Sequence, residues 1–517
     1  MISKRRGDSP SADDTAGFGL PFERMLDRRQ FLGGTVGLLG LAGLAACTSQ
    51  AAPARVQLIR PTDALVESAE ARRTGAATAV HRVDLTARPA TIDLGGPVVD
   101  TWAYGDAVPG VLVRLPAGDR LTATVTNALP DPTSVHWHGI ALRNDMDGVP
   151  GLTQKAIAAG GSMTYDFTAP DPGTYMFHSH VGTQLDRGLY APLIVDDPSE
   201  PLAYDAEHIV VLDDWLDGTG RTPNSVLRDL QSGGMDMGGM DMGAGAPASP
   251  LLGGDAGDVQ YPYYLINGRV AAAPNTVTFT PGTRLRLRII NLAGDTAFRV
   301  ALGGHRMTVV HSDGFPVNPV ETDALLIGMG ERMDVLVTLA EGVFPLIALA
   351  EGKNASALEI IRTGVGAAPT ADTRPSELDG QVTGALTLDA TEDVFLPERR
   401  PDRTHELVLG GNMADYQWTI NDRLYSDRRD LRVRPGEVVR LKMTNSTTMF
   451  HPMHLHGHTF QVRSATGRGP RKDTVMVLPG ETVTADLVAD NPGQWLVHCH
   501  NVYHGEAGMM TALSYVK

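Results

Sequence analysis

The chain has 517 residues, which at about 100 to 200 residues per domain predicts three or so domains and excludes a single small module. Hydrophobic residues make up 42% and charged residues 20%, so wholesale disorder, collagen and a polytopic membrane protein are excluded. A net charge of −16 argues against a basic nucleic-acid-binding face, so we expect no nucleic-acid partner and favour small molecules or cations. Many Gly and Pro residues between Val and Thr runs favour an all-β chain.

The N-terminal segment has the layout of an export signal. The pair Arg28-Arg29 precedes a Gly-rich apolar stretch over residues 31–46, which is typical of a twin-arginine signal peptide and too short to span a bilayer comfortably. Residues 44–47 resemble a bacterial lipobox, in which Cys47 would be lipidated and attach the mature protein to a membrane. Ordinary cleavage nearby, leaving a soluble protein, is the alternative. Either way we expect export to the periplasm or cell envelope.

Three stretches of the chain repeat one pattern. Residues 113–121, 277–285 and 431–439 each combine a strand, a Pro-Gly or Ala-Gly turn and a second strand. The second strands end at Asn127, Asn291 and Asn445. The copies start about 160 residues apart, a period suited to tandem β-sandwiches of ordinary domain size.

The repeats and two low-complexity segments predict the domain bounds. A Gly- and Met-rich segment at 233–243 cannot build a core, and residues 364–385 are a polar linker. We therefore expect a signal peptide at 1–46, a tether at 47–75, domains at 76–200, 201–363 and 395–517, and a linker at 364–394.

Histidine clustering is the main chemical signal. Of 16 histidines, most fall into four short clusters that read HWHG, HSH, HPMHLHGH and HCHNVYH. Alternate side chains of a strand share a face, so each His-x-His pair predicts two imidazoles side by side. Two clusters lie in the first repeat and two in the third, which predicts that the first and third domains meet with metal ions between them.

The cysteine in the last cluster decides the metal. Imidazole alone suits copper, zinc, iron and nickel. Cys499 points away from His498 and His500, and His451 and His504 could join it, with Met509 as a weak axial ligand. Two histidines, a cysteine and a distant methionine define a blue-copper electron-transfer site.

The order of these motifs resembles the four copper motifs of the multicopper oxidase family, and the ending HGEAGMM is most similar to the bacterial copper-resistance and copper-efflux branch. The resemblance implies an all-β fold of three tandem cupredoxin-like Greek-key β-sandwich domains. It also implies four copper ions: one type 1, one type 2 and two type 3. The implied ligands are His451, Cys499, His504 and Met509 for type 1; His136 and His454 for type 2; and His138, His178, His500 with His180, His456, His498 for the type 3 pair.

Acidic residues near the motifs are candidates for proton delivery, because dioxygen reduction consumes protons. Asp147 follows HWHG at a position where the family often has an acid, and an Asp-Gly turn is the alternative interpretation. Glu506 is the second candidate, but Gly505 separates it from His504, whereas in some relatives the acid follows directly. We assign catalytic roles to Asp147, Glu506 and Cys499.

The Met-rich segment suggests how substrate is captured. Its thioethers are soft ligands suited to Cu(I), and they belong to Met235, Met237, Met240 and Met242. A solvated linker with incidental methionines is the alternative. The remaining histidines are interpreted as structural, and the middle domain, which has no His pair, as a scaffold.

The predicted function is that of an oxidase. One-electron oxidation of Cu(I), with Fe(II) and phenols as further candidates, would be coupled to four-electron reduction of dioxygen to water, in the service of copper tolerance. A general laccase acting on phenolic substrates and a non-enzymatic copper-binding or copper-storage protein are the alternatives. We expect a monomer.

Overall fold

The structure is a computed structural model that describes residues 56–74, 79–233, 247–396, 398–464 and 467–517. The predicted signal peptide, Cys47 and the four methionines of the Met-rich segment lie outside the described residues. Within the predicted tether, Ala64–Thr74 form helix α1, and Ile59 N donates a hydrogen bond to Tyr515 O.

The first sandwich consists of two four-stranded sheets. Its strands are β1 Val80–Asp93, β2 Val98–Tyr104, β3 Val113–Pro116, β4 Arg120–Asn127, β5 His136–His138, β6 Ser162–Thr168, β7 Gly173–His178 and β8 Tyr190–Asp196. The sheets have the orders β2-β1-β4-β6 and β3-β8-β7-β5. Strand β4 shows why these sequences form strands, because Leu121, Ala123 and Val125 alternate with threonines and point into the core.

The second sandwich packs a seven-stranded sheet on a six-stranded one. Its elements are β9 Ala206–Trp215, α2 Pro223–Gln231, β10 Ala248–Ser249, β11 Gly254–Asp255, β12 Tyr263–Ile266, β13 Arg269–Val270, β14 Thr276–Thr278, β15 Arg284–Asn291, β16 Phe298–Leu302, β17 Met307–Ser312, β18 Phe315–Thr322, β19 Ala324–Ile327, β20 Arg332–Thr338, β21 Val343–Ala350, β22 Ala355–Arg362 and β23 Val382–Gly384. The sheet orders are β13-β12-β9-β15-β20-β17-β18 and β14-β22-β21-β16-β19-β23, and β10 pairs with β11 separately.

The third sandwich carries the last two histidine clusters. Its elements are β24 Arg403–Asn412, β25 Gln417–Ile420, β26 Leu431–Val433, β27 Val438–Asn445, β28 His451–Leu455, β29 Phe460–Val462, β30 Arg471–Lys472, β31 Thr474–Val477, β32 Thr482–Val488, β33 Gln494–Cys499, α3 Val502–Glu506 and β34 Met510–Tyr515. The sheets run β25-β24-β27-β32-β29-β30 and β26-β34-β33-β28-β31.

Single turns of 3-10 helix occur in all three sandwiches and the connection before the third, at Asn144–Met146, Leu185–Arg187, Pro250–Leu252, Ser376–Asp379, Ala385–Thr387 and Tyr425–Asp427.

The repeat detected in the sequence has a common structural basis. In each sandwich the second strand of the repeat pairs in parallel with the sandwich's first strand: β4 with β1, β15 with β9, and β27 with β24. The asparagine that ends each strand donates from Nδ2 to two backbone carbonyls and accepts a backbone N–H two residues on, at Asn127, Asn291 and Asn445. Each asparagine therefore satisfies buried backbone groups at the same corner.

These observations confirm the all-β prediction of three tandem cupredoxin-like sandwiches. The expected domain bounds stay predictions. Within the described residues, no helix has the length and apolar character needed to cross a membrane.

Candidate metal centres

Three potential ligands meet at one end of the third sandwich. The Cys499 Sγ lies 3.7 Å from the Nδ1 atoms of both His451 and His504, and those two nitrogens are 3.1 Å apart. The three side chains are buried. They come from the start of β28, the end of β33 and helix α3.

Asn501 brings His504 back toward Cys499. Asn501 is the N-cap residue of α3, and its side-chain oxygen accepts hydrogen bonds from the N–H groups of Tyr503 and His504. Its amide nitrogen donates to Asp295 Oδ1 in the second sandwich at 2.6 Å, and Val502 N donates to Gly294 O at 3.0 Å. The turn that carries His504 is therefore held by a neighbouring sandwich.

The hydrogen bonds on the outer edges of these imidazoles direct their Nδ1 atoms inward. His504 Nε2 donates to Asp258 Oδ2 at 3.0 Å, and His451 Nε2 contacts Thr447 Oγ1 at 2.8 Å. Although burial opposes a charge here, the bond to Asp258 raises the pKa of His504 to about 10. Two nitrogens and a sulfur thus converge on one space, and this donor set suits a soft metal ion.

Met509 is fixed close to this group through its backbone. Cys499 N donates to Met509 O, and Met509 N donates to His504 O, both at 3.0 Å. The Met509 side chain is fully buried. Its predicted axial role stays a prediction.

Eight further histidines converge between the first and third sandwiches. They are His136, His138, His178 and His180 from the first, and His454, His456, His498 and His500 from the third. Of the four His-x-His pairs, only His136 and His138 lie within one strand. The second histidine of each other pair lies just beyond the end of β7, β28 or β33, at His180, His456 and His500. The orientation of the paired imidazoles therefore depends on the backbone just after the strands as well as on the alternation of side chains within a strand.

The His136–His454 pair is set up for a metal ion. His136 Nδ1 donates to Asp147 O at 2.8 Å and His454 Nδ1 donates to Asp473 O at 3.0 Å, since carbonyls can only accept. The two Nε2 lone pairs then face each other across 3.4 Å. Such a contact is repulsive unless a cation lies between the nitrogens.

The trio His180, His456 and His498 shows the same arrangement. His456 Nε2 and His498 Nε2 are 3.1 Å apart, while their Nδ1 atoms donate to the Asp147 carboxylate and to Cys499 O. All three ligand atoms lie within 4.8 Å of one another. Burial lowers the pKa of all three imidazoles, so they are neutral.

The trio His138, His178 and His500 has ring centroids separated by 4.9 to 5.7 Å. Burial lowers the pKa of His178 to about 3. Among the described residues, the buried imidazole nitrogens without a hydrogen-bond partner are His138 Nδ1, His178 Nε2, His180 Nε2 and both nitrogens of His500. Buried polar atoms normally have partners, so these lone pairs fit a metal cluster. The geometry also groups His136 with His138 and His178.

Both acids singled out in the sequence lie beside the histidine cluster. The Asp147 carboxylate accepts from His456 Nδ1 at 3.1 Å and lies 3.3 Å from His136 Nδ1, and burial raises its pKa. Glu506 lines a small cavity together with His178, His180 and His500. Burial raises the pKa of Glu506 to about 7.

Three charged residues at these sites were not anticipated from the sequence. Asp258 contacts His504, Asp473 contacts His138, and Arg332 pairs with Asp473. None of them belongs to a histidine motif. Of the three, only Asp258 has a signal in the sequence, namely its position after the Met-rich segment.

The remaining histidines have other partners. His458 contacts His456 O and Tyr515 OH and lies outside the ligand groups. The other five make contacts elsewhere: His81 with Asp119, His208 with Glu359, His305 with Gly303 O, His311 with Arg286 and His405 with Arg432 O.

Comparisons with known proteins agree with this fold and donor set. Three family profiles described as multicopper oxidase match residues 86–200, 207–365 and 398–516. The chain therefore belongs to the multicopper oxidase family. It is an oxidoreductase that requires copper and uses dioxygen and a reducing substrate.

Among relatives, the chain is similar to "Multicopper oxidase MmcO" of Mycobacterium tuberculosis, with 52% identity over 96% of this chain and 97% of that protein. It is 30% identical to "Copper resistance protein A homolog" of Pseudomonas syringae pv. tomato, over 82% of this chain and 91% of that protein. The laccase from Botrytis aclada has a similar structure, with a TM-score of 0.70, 26% identity and coverage of 86% of this chain and 88% of that one. Fet3p shares the fold, with a TM-score of 0.72, 23% identity and coverage of 84% and 90%.

Proposed function

We propose that the two centres hold four copper ions and that the protein oxidises Cu(I). The proposed type 1 ligands are His451, Cys499, His504 and Met509. His136 and His454 would bind the type 2 ion, and His138, His178, His500 with His180, His456, His498 would bind the type 3 pair. The unprotonated imidazole nitrogens that face one another at 3.1 and 3.4 Å carry this assignment.

Copper bound at these positions supplies one-electron chemistry at the cysteine centre and dioxygen reduction at the histidine cluster. The chain connects the two centres directly, because Cys499 lies between His498 and His500. If copper occupies both centres, the backbone from Cys499 to either adjacent histidine would provide the path for an electron between them.

Two acids are suited to deliver protons to the cluster. Asp147 contacts imidazoles of both proposed cluster sites, and Glu506 lines the cavity beside the cluster. We assign proton transfer to both, since a carboxyl group close to the reacting oxygen can donate and then recover a proton.

The position of Asp258 beside the cysteine centre favours oxidation of a cationic substrate. Its carboxylate accepts from His504 Nε2 at 3.0 Å and from Tyr416 OH at 2.7 Å, so a negative charge lies where electrons would enter. Residues at both ends of the Met-rich segment contact chain segments that lead into this site. A Cβ on Gly233 would be 3.8 Å from Ala414 O, two residues before Tyr416, and Asp255 forms a β-bridge with Met449, two residues before His451. We therefore propose that Met235, Met237, Met240 and Met242 recruit Cu(I).

Copper tolerance is the role that this substrate implies, and the similarity to "Copper resistance protein A homolog" supports it. A general laccase is the second candidate, supported by similarity to proteins named laccase. A copper-storage protein is the non-enzymatic alternative.

Copper stoichiometry combined with oxygen uptake tests the proposal. Copper-loaded protein should hold four copper ions per chain and consume dioxygen with Cu(I) faster than with a phenol. A faster rate with the phenol would favour the laccase. Copper binding without oxygen uptake would favour storage and refute the oxidase.

We propose further that the protein is exported as a monomer through its twin-arginine signal to the periplasm or cell envelope, and is attached to a membrane through lipidated Cys47. Mass spectrometry of the mature N-terminus tests the attachment. An unmodified N-terminus beyond Cys47 would contradict it.

A further inference from the structure

A buried ion pair joins the second and third sandwiches beside the histidine cluster. Arg332 Nη1 donates to Asp473 Oδ1 at 2.7 Å, and Arg332 Nη2 donates to Asp473 Oδ2 at 2.6 Å. Both side chains are fully buried. This two-bond geometry fixes the plane and the direction of the carboxylate.

Arg332 is itself held by the first and second sandwiches. Its Nε donates to Thr174 O at 3.0 Å, and its Nη1 donates to Gly330 O at 3.2 Å. The guanidinium also lies 5.6 Å from the Tyr175 ring centroid. One side chain of the second sandwich thus contacts all three sandwiches.

Asp473 carries this constraint to a histidine of the first sandwich. His138 Nε2 donates to Asp473 Oδ1 at 3.0 Å, because an ionised carboxylate can only accept. With its proton on Nε2, His138 presents a bare Nδ1, which is the atom left without a partner. The carboxylate therefore selects which ring nitrogen is free to bind a metal.

A second histidine is constrained through Thr474. The Thr474 hydroxyl donates to Asp473 Oδ1 at 2.9 Å, and its oxygen lies 3.0 Å from His454 Nδ1. His454 also donates to the Asp473 backbone carbonyl. The same short segment thus orients one imidazole of the proposed type 2 site and one of the type 3 pair.

The loop before Arg332 packs against a third imidazole. Gly330 has φ +82°, and a Cβ on it would lie 2.8 Å from the His500 ring. A side chain here would displace that ring. Within the described residues, the second sandwich supplies no histidine to the cluster, yet its backbone lines one side of it.

We propose that Arg332 is a positioning residue of the histidine cluster: by holding the Asp473 carboxylate it fixes His138 with Nδ1 free and pointing to the metal. The second sandwich is then part of the metal site rather than a scaffold alone. This inference rests on the proposed ligand set.

Arg332→Met removes both bonds to Asp473, and Arg332→Lys keeps the charge but loses the two-bond geometry. Arg299→Met is the matched control, because Arg299 makes a two-bond pair with Glu351 in the second sandwich, without a contact to the cluster histidines. Copper affinity of the cluster is measured by chelator competition. The blue thiolate band reports the cysteine centre, and the electron paramagnetic resonance signal reports the type 2 ion.

Arg332→Met should weaken copper binding at the cluster by about 10- to 100-fold, the usual cost of losing a group that orients a ligand, and should alter the type 2 signal while the blue band remains. Arg332→Lys should fall between Arg332→Met and wild type, and Arg299→Met should bind copper like wild type. Equal cluster affinity in Arg332→Met and Arg299→Met would overturn the inference, as would loss of the blue band together with the cluster copper.

If Arg332→Met does not fold, Asp473→Asn tests the same link from the other side, with the same expectations and the same overturning results. The wild-type measurement separates the two proposals. Failure of wild-type protein to bind copper at the cluster refutes the proposed function, whereas a normal wild type with unaffected variants refutes only the role of Arg332.

Discussion

Replacing Asp258 by asparagine should raise the reduction potential of the cysteine centre. The carboxylate accepts from His504 Nε2 at 3.0 Å, and neither side chain is exposed to solvent. Its negative charge stabilises the oxidised, more positive state of the centre. Asparagine has nearly the same shape and can still accept the hydrogen bond, so the change removes charge rather than structure.

The magnitude follows from the hydrogen bond. A bond to a charged acceptor contributes about 1.5 to 3 kcal/mol and a neutral one about 1 kcal/mol, so roughly 0.5 to 2 kcal/mol is lost. For a one-electron couple a tenfold change in equilibrium, about 1.4 kcal/mol, equals about 59 mV, so the rise should be roughly 20 to 85 mV.

Spectroelectrochemical titration of the blue thiolate band measures this shift. Tyr416→Phe is the control, because it removes a phenol bonded to the same oxygen and leaves the charge in place. Its potential should move less, and downward, since the carboxylate then binds His504 more strongly. An Asp258→Asn potential equal to or below the wild-type value would refute the reasoning.

Four other changes have defined outcomes. Cys499→Ser should abolish the blue absorption and oxidase activity while much of the fold remains, and retained turnover in metal-verified protein would contradict the electron-entry role. Glu506→Gln should slow reoxidation by dioxygen and leave anaerobic reduction of the blue centre unchanged, as stopped-flow absorbance can show. Serine at Met235, Met237, Met240 and Met242 should impair Cu(I) oxidation more than phenol oxidation; equal effects in oxygen-uptake assays would remove their role. Burial opposes ionisation of Asp334, but the charges of Arg286 and Arg288 outweigh burial and lower the pKa of Asp334 to about 2. The ionised carboxylate therefore contributes about 2 kcal/mol to the free energy of unfolding. This contribution is present above pH 4 and is lost as the pH falls toward 2. Acid unfolding of copper-free Asp334→Asn should have a shallower dependence on pH in that window, and an unchanged slope would contradict this.

The sequence predicted the fold and the histidine groups because both depend on local patterns. Strand–turn–strand repeats mark each sandwich, and Asn127 and its two counterparts occupy equivalent corners. The proposed ligand residues are recognisable because metal chemistry restricts residue type and spacing.

The charged partners of those ligands could not be predicted in the same way. Asp258 and His504 are 246 positions apart in the chain, and His138 and Asp473 are 335 apart. Any acid can accept from an imidazole, so residue type carries little information. Only the packing of three sandwiches selects which acids do so.

The contact between Asn501 and Asp295 limits how this protein can be divided. A fragment spanning residues 398–517 would contain His451, Cys499, His504 and Met509, but Asn501 would lose its acceptor on Asp295. The same carboxylate accepts from the backbone of Asp258 and Val259 and is paired with Lys353, so the acid beside His504 would be lost too. The third sandwich is therefore not a portable electron-transfer module, and chimaeras between relatives should exchange the second and third sandwiches as one unit.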